Sequence, residues 1–317
     1  MIHLPLSAIK KSTNAHREMM TTHRADPAFN DSQSGHLVTL LLLLFLTFSG
    51  LATAADEPLR TAATRRIDIR HIRLEIELDL PKKHLRGRAT INFSPLPAFY
   101  EAAREPVIEL DAHALDVSVV RFSGDNTKAT ETDFALTDDK LLITAPENAV
   151  RQGGQYQLEI DYSVTEPING LHFFGPTKQA PNIPLMVWSQ GEPQANHYWF
   201  PCLDNSNERQ STELVVSVPT GIEVLSNGTL LSRKNLATGR TTFHWKQEKE
   251  HVAYLVTLVA GRFSITSEEW RGKPVTYYVP KDRQADIQRT FGRTKPMLDF
   301  FSERFGIEYP WDKYAQV

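Results

Sequence analysis

Ile72-Arg73-Leu74-Glu75-Ile76-Glu77-Leu78-Asp79-Leu80 alternates a large apolar residue with a charged one at every step. Successive side chains of an extended chain point to opposite faces, so this run buries its Ile and Leu residues on one side and wets Arg73, Glu75, Glu77 and Asp79 on the other. A helix would scatter both sets around its circumference, so the stretch predicts a half-buried strand. Pro81-Lys82-Lys83-His84 interrupts it. Alternation then resumes through Leu85, Ala89, Ile91 and Phe93, as in the return strand of a hairpin.

Working outward, further strand-like runs occupy residues 107–110, 117–122, 141–144, 156–164, 214–218, 241–245 and 254–260. Turn signals such as Gly153-Gly154 and Ser226-Asn227-Gly228-Thr229 lie between them, and Asn-Gly predicts a two-residue hairpin turn. There is no fixed-period repeat. The fold expected is mainly β, a β-sandwich or saddle over residues 55–266. The periodicity then changes: Ile287, Phe291, Leu298, Phe301 and Phe305 recur at helical spacing. They predict one amphipathic helix between Asp282 and Gly306, bent near Pro296 and stopped by Gly306. Such a helix, with only residues 307–317 beyond it, has nothing of comparable size to pack against. Residues 267–317 therefore read as the truncated start of a second domain.

At the other end, residues 37–48 are an almost unbroken apolar run followed by Ser49-Gly50-Leu51 and Ala52-Thr53-Ala54. That pattern predicts a secretory signal over residues 1–54, cut after Ala54. Its leading segment is over-long, holding Lys10, Lys11, Arg17 and Arg24 against Glu18, Asp26 and Asp31. The runner-up is a membrane anchor over residues 37–51, but a spanning helix wants about 20 apolar residues. The expected mature chain is exported, periplasmic or extracellular, without a membrane span.

Composition narrows the functional classes. A formal charge of -3 over 317 residues excludes a broadly basic surface, so no nucleic-acid partner is expected. Cys202 is the single cysteine, which excludes an intrachain disulfide and a thiolate-rich metal site. Its neighbours supply no base, so it reads as a small buried hydrophobe. His172 and His197 flank aromatics and read as packing or hydrogen-bonding residues. No Gly-rich phosphate loop or Gly-x-Ser-x-Gly elbow is present.

The stretch that carries chemistry runs from residue 188 to 204: W-S-Q-G-E-P-Q-A-N-H-Y-W-F-P-C-L-D. Gln190 and Glu192 lie two apart, on one face of an extended segment, and Tyr198, Trp199, Phe200 and Pro201-Cys202 then anchor the chain. A carboxylate beside apolar walls binds an ammonium by a charge-assisted hydrogen bond, and so selects a free peptide N-terminus. By spacing alone the pair reads as two polar residues on a loop edge.

Gln-x-Glu followed by aromatic-Pro-Cys-x-Asp resembles the corresponding segment of the aminopeptidase N family of zinc exopeptidases. The opening hairpin with Gly87 in its return strand resembles the start of that family's N-terminal domain. Glu250-His251-Val252-Ala253-Tyr254-Leu255, leading to Gly261-Arg262-Phe263, resembles that domain's end. Phe305-Gly306-Ile307-Glu308-Tyr309-Pro310-Trp311-Asp312-Lys313-Tyr314 is similar to the F-G-x-x-Y-P-x-x-K-Y segment that leads into the catalytic domain. After Asp204 the sequence departs, with Asn205-Ser206-Asn207-Glu208-Arg209 where the family commonly has an acidic residue and a proline.

The resemblance implies a β-saddle followed by the first strand and helix of a thermolysin-like α/β domain. It implies that Glu192 helps bind the substrate's α-ammonium and that Gln190 lines the pocket for the first side chain. The family's zinc is held by a helical His-Glu-x-x-His and a later Glu. None of the eleven His here is followed by Glu, so zinc is expected of the full-length family member, while this chain is expected to bind none and to hold no catalytic residue. Two functions remain: the N-terminal part of an exported zinc aminopeptidase, its partner the missing catalytic domain, or a non-catalytic β-domain binding peptides or a partner protein.

Overall fold

The alternation at residues 72–80 lies within a long strand, β1 (Ile67–Asp79), which turns into β2 (His84–Pro95). Their register sets Ile72 against Ile91, Leu74 against Ala89 and Leu78 against Leu85, so the two apolar rows meet on one face. Each fully buried Leu or Ile contributes roughly 2 kcal/mol. These coordinates are a computed structural model that describes residues 62–101, 107–124, 127–146 and 150–317. The expected leader, residues 1–54, lies outside them.

After the hairpin come β3 (Val107–Asp111), β4 (Asp116–Ser123), β5 (Thr130–Glu131), β6 (Phe134–Leu136), β7 (Lys140–Thr144) and β8 (Tyr156–Thr165). β9 (Gly170–Phe174) and β10 (Met186–Gln190) precede a 3-10 turn, Asn196–Tyr198. β11 (Gln210–Pro219), β12 (Glu223–Ser226), β13 (Thr229–Asn235) and β14 (Arg240–His251) follow, then β15 (Leu258–Gly261), β16 (Phe263–Trp270), β17 (Lys273–Pro280) and finally β18 (Tyr314–Gln316). The chain is mainly β, as expected.

An eight-stranded sheet runs β13-β14-β11-β1-β2-β8-β4-β5, beside a four-stranded sheet, β12-β15-β10-β9, and a three-stranded one, β3-β7-β6. All three feed one apolar cluster that includes Leu74, Leu110, Leu171, Trp199, Phe243 and Ala260. β1 pairs with β11 in parallel, Leu74 against Leu214 and Ile76 against Val216. Parallel neighbours cannot be joined by a tight turn, and the intervening chain supplies β2, β8, β4 and β5 of this sheet, while β13 and β14 follow β11. The third small sheet, β16-β17-β18, packs with the helices on a second cluster of Trp270, Val275, Tyr277, Val279, Ile287 and Leu298.

Three sequence expectations are corrected. Asn227-Gly228 is not a hairpin turn, because β12 and β13 belong to different sheets and the pair carries the chain between them. Residues 254–260 are not a continuous strand, since a 3-10 turn at Ala253–Leu255 precedes β15. The helical segment is three pieces: a 3-10 turn at Lys281–Asp286, a short helix Ile287–Phe291, and a helix Thr294–Phe305. The break falls at Gly292-Arg293. Pro296 sits in the first turn of the last helix, where its missing N–H has no intrahelical partner to lose. Gly306 caps that helix in the left-handed region, φ 67°, as its position suggested.

Candidate functional site

The segment carrying Gln190 and Glu192 leaves the edge of a strand and is gripped from beneath. β10 pairs with β9 and β15, which sets Trp188 against His172 on one side and Val259 on the other. The strand ends at Gln190, and the Ala195 N–H donates to the Gly191 carbonyl over 2.7 Å, closing a turn. A Cβ at position 191 would overlap the Tyr254 carbonyl oxygen and the Asn196 carboxamide, so only glycine allows this approach. The two expected site residues therefore do not share the face of one strand. They flank the start of a turn, and the Gln190 Nε2 donates to the Glu192 carbonyl at 3.5 Å.

Below the turn most buried polar groups are paired, the exception being Asp204 Oδ1, which has no hydrogen-bond partner among the described residues. Asn196 is fully buried; its Nδ2 donates to the Ala253 carbonyl at 2.7 Å and the Val256 carbonyl at 3.0 Å. Its Oδ1 accepts from Trp199 Nε1 at 2.8 Å. Asp204 Oδ2 accepts from the backbone N–H groups of Asn196 and His197 at 2.9 and 3.2 Å, and lies 3.1 Å from His197 Nδ1. The Asp204 N–H donates to Asp111 Oδ2 at 2.8 Å, while Lys140 Nζ donates to Asp111 Oδ1 at 2.7 Å. Cys202 and Asp111 exchange backbone hydrogen bonds at 2.7 and 3.1 Å. Unpaired, buried groups of this kind would each cost about 1–3 kcal/mol, so the network fixes the chain path tightly.

Above it, Gln190 and Glu192 are both exposed, and Glu192 lacks the apolar walls the sequence suggested. Among the described residues no cation pairs with the Glu192 carboxylate within 4.0 Å, although 28 other acid–base contacts, four of them through His, meet that limit. The site is thus a free carboxylate on a rigid mount, chemically fit to accept hydrogen bonds from an ammonium.

The remaining candidates are structural. Cys202 is buried, and burial pushes its thiol well above the usual range, which removes a nucleophilic role. His172 packs on Trp188 with ring centroids 5.3 Å apart. His197 packs on Tyr198 besides facing Asp204. Past the departure from the family pattern, Arg209 is exposed, whereas Glu208 is fully buried, accepting from the Ile69 N–H at 2.7 Å and from Arg65 Nε at 2.5 Å. Sequence reasoning missed Asn196, Asp111 and Glu208, because their partners lie far away along the chain. The described residues do not fit a zinc ion: among them no group of three His, Cys, Asp or Glu could hold one.

The family described as the Peptidase M1 N-terminal domain matches residues 68–255. Glutamyl aminopeptidase of Sus scrofa is 25% identical over 201 residues, covering 62% of this chain and 21% of that protein. Aminopeptidase B of Rattus norvegicus is 23% identical over 293 residues, covering 84% of this chain and 43% of that protein. Transcription initiation factor TFIID subunit 2 of Danio rerio is 23% identical over 238 residues, 73% of this chain and 20% of that protein. The chain spans about a fifth of the length of the first of these relatives.

Proposed function

We propose, since this chain belongs to the M1 peptidase family, that it supplies the amine-recognition part of an exported zinc aminopeptidase removing single residues from peptide N-termini. The observation that carries the reading is Glu192, an exposed carboxylate without a cationic partner among the described residues, on a turn held from beneath by the buried Asn196 and by Asp204 Oδ2. A free α-amino group has a reference pKa of about 7.7–8.0, and a neighbouring carboxylate favours its charged form. Glu192 takes that ammonium, and Gln190 lines the pocket for the first side chain. The chemistry of the family's zinc is to polarise the scissile carbonyl and supply hydroxide. The residues described here do not fit that metal, so their share is to bind and orient the amine end.

Export is supported by residues 37–54, and no helix among the described residues is long and apolar enough to cross a membrane. A second reading, a non-catalytic β-domain that binds peptides or a partner protein, is favoured by the relative named as a transcription initiation factor subunit.

The test compares tetra-alanine with N-acetyl-tetra-alanine by titration calorimetry on the full native protein. A hydrogen bond to a charged group contributes about 1.5–3 kcal/mol, so the free amine should bind roughly 10- to 100-fold more tightly. Glu192→Gln should bring that preference to within about twofold of unity. Equal binding of the two peptides by the wild type, or an undiminished preference in E192Q, would reject amine recognition and leave the second reading.

A further inference from the structure

We propose that Asn196 is the positioning residue of this site, setting where the Glu192 carboxylate stands, a role that rests on Glu192 being the amine-binding group. The carboxamide grips both ends of the 3-10 turn Ala253–Leu255, donating to the carbonyl of its first residue at 2.7 Å and to that of Val256, just past its last, at 3.0 Å. Between those anchors lies the Tyr254 carbonyl against which Gly191 packs. On the near side the Asn196 backbone N–H is fixed to Asp204 at 2.9 Å, and Ala195 is tied back to Gly191 at 2.7 Å. Glu192 therefore emerges between two clamped points, and one side chain holds both to the 253–256 segment.

The residue type follows from the count of donors and acceptors. The two amide N–H bonds reach two carbonyls, that of Ala253 also accepting from the Val256 N–H at 2.9 Å, and Trp199 Nε1 finds its acceptor 2.8 Å away at Oδ1. A primary amide supplies both from one fork; Asp keeps the acceptor and loses both donors, and Ser offers one hydroxyl donor. Asn196 is 0% exposed, so water cannot replace what is lost. The turn would then part from the 253–256 segment and carry Glu192 with it. Asn196 touches no substrate in this scheme, and acts only through Glu192.

The full native protein, titrated with tetra-alanine and N-acetyl-tetra-alanine, tests this as a double-mutant cycle. The ratio of the two affinities is independent of the fraction of protein that is folded, so it isolates positioning from stability. Asn196→Asp should lower the free-amine preference by about fivefold or more, with N196S intermediate, and N196D should change nothing further in an E192Q background. If N196D does not yield folded protein, N196S decides, with a fall in preference expected in the wild-type background and none in E192Q. A preference unchanged in the folded single variants, or reduced equally with and without Glu192, overturns the positioning role while leaving amine recognition intact. A wild-type preference that E192Q does not touch overturns both.

Discussion

His251 closes β14 with its ring buried beside the polar end of the larger core. Nδ1 lies 3.1 Å from the Val252 carbonyl, which can only accept, so Nδ1 carries the proton; Nε2 then accepts from Thr212 Oγ1 at 2.9 Å. Burial pulls the imidazole pKa down to about 4. Between about pH 6.5 and 4 the unfolded chain binds a proton that the folded one refuses, so stability present above pH 6.5 is lost as pH falls through that window. At 1.36 kcal/mol per unit, the contribution amounts to about 3 kcal/mol. His251→Gln keeps a donor and an acceptor without a charge, and urea melts should show the wild type falling by about that much more than H251Q from pH 7 to 4. Parallel curves would contradict the assignment. At this scale the sequence was legible where a residue's neighbours along the chain decide its fate, as for Cys202 between Pro201 and Leu203. It was silent where they do not: Asn196 finds its acceptors 57 and 60 positions away, and Glu208 its backbone donor 139 positions away.

Elements followed their periodicity wherever one face was buried and one wet. β1, β2, β8, β11 and β14 alternate in burial along most of their length; the first two were visible as alternating runs and the other three as strand-like runs. β9 and β10 were not, because Gly170-Leu171-His172-Phe173-Phe174 and Met186-Val187-Trp188-Ser189-Gln190 carry no clean two-residue period, and cross-strand aromatic stacking substitutes for it. The helix Thr294–Phe305 shows the opposite failure, a correct type with a misplaced break, since a proline was allowed to outrank a Gly-Arg step. Substitution separates the two positions. Pro296→Ala should change stability by less than about 0.5 kcal/mol, because the first-turn N–H it restores meets no helical carbonyl. Gly306→Ala should cost about 1 kcal/mol, because a Cβ is strained at a φ of 67°. Thermal denaturation of the two variants should therefore diverge; a larger loss in P296A than in G306A would restore the bend to the proline.

Across the whole unit Thr61–Val317, two apolar clusters are bridged by β16 and β17, which give Phe263 and Tyr278 to the larger and Trp270, Val275, Tyr277 and Val279 to the smaller, and by a short segment, residues 309–316. Tyr309 and Tyr314 pack on the smaller cluster, and β18 pairs with β17. The same segment is pinned to the larger sheets by Lys313, whose Nζ donates to the Ser226 and Gly228 carbonyls, both at 2.6 Å, and lies 4.7 Å from the Trp245 ring centroid. Lys249 bonds the Pro310 carbonyl, and Trp311 meets His251 edge-on. None of this was readable in advance: the sequence showed a Tyr-Pro-Trp-Asp-Lys-Tyr landmark, but the strand it forms and the carbonyls it reaches belong to elements far upstream. The charged groups facing the Lys313 amine are few. Asp312 raises its pKa, yet that carboxylate also faces Lys249 at 3.7 Å, and His251 is neutral above about pH 4. Burial wins and lowers the Lys313 pKa to about 8. From about pH 8 to 10.5 the unfolded chain holds a proton that the folded chain has released, so stability rises with pH across that window. The neutral amine keeps two donors for its two carbonyls, so the pin survives the loss of charge. Lys313→Met removes the titration, and the stability difference between wild type and K313M should widen by about 2 kcal/mol between pH 7.5 and 10. Denaturant melts at matched ionic strength read that difference directly, and one that narrows with pH would mean that the folded protein holds Lys313 as a cation.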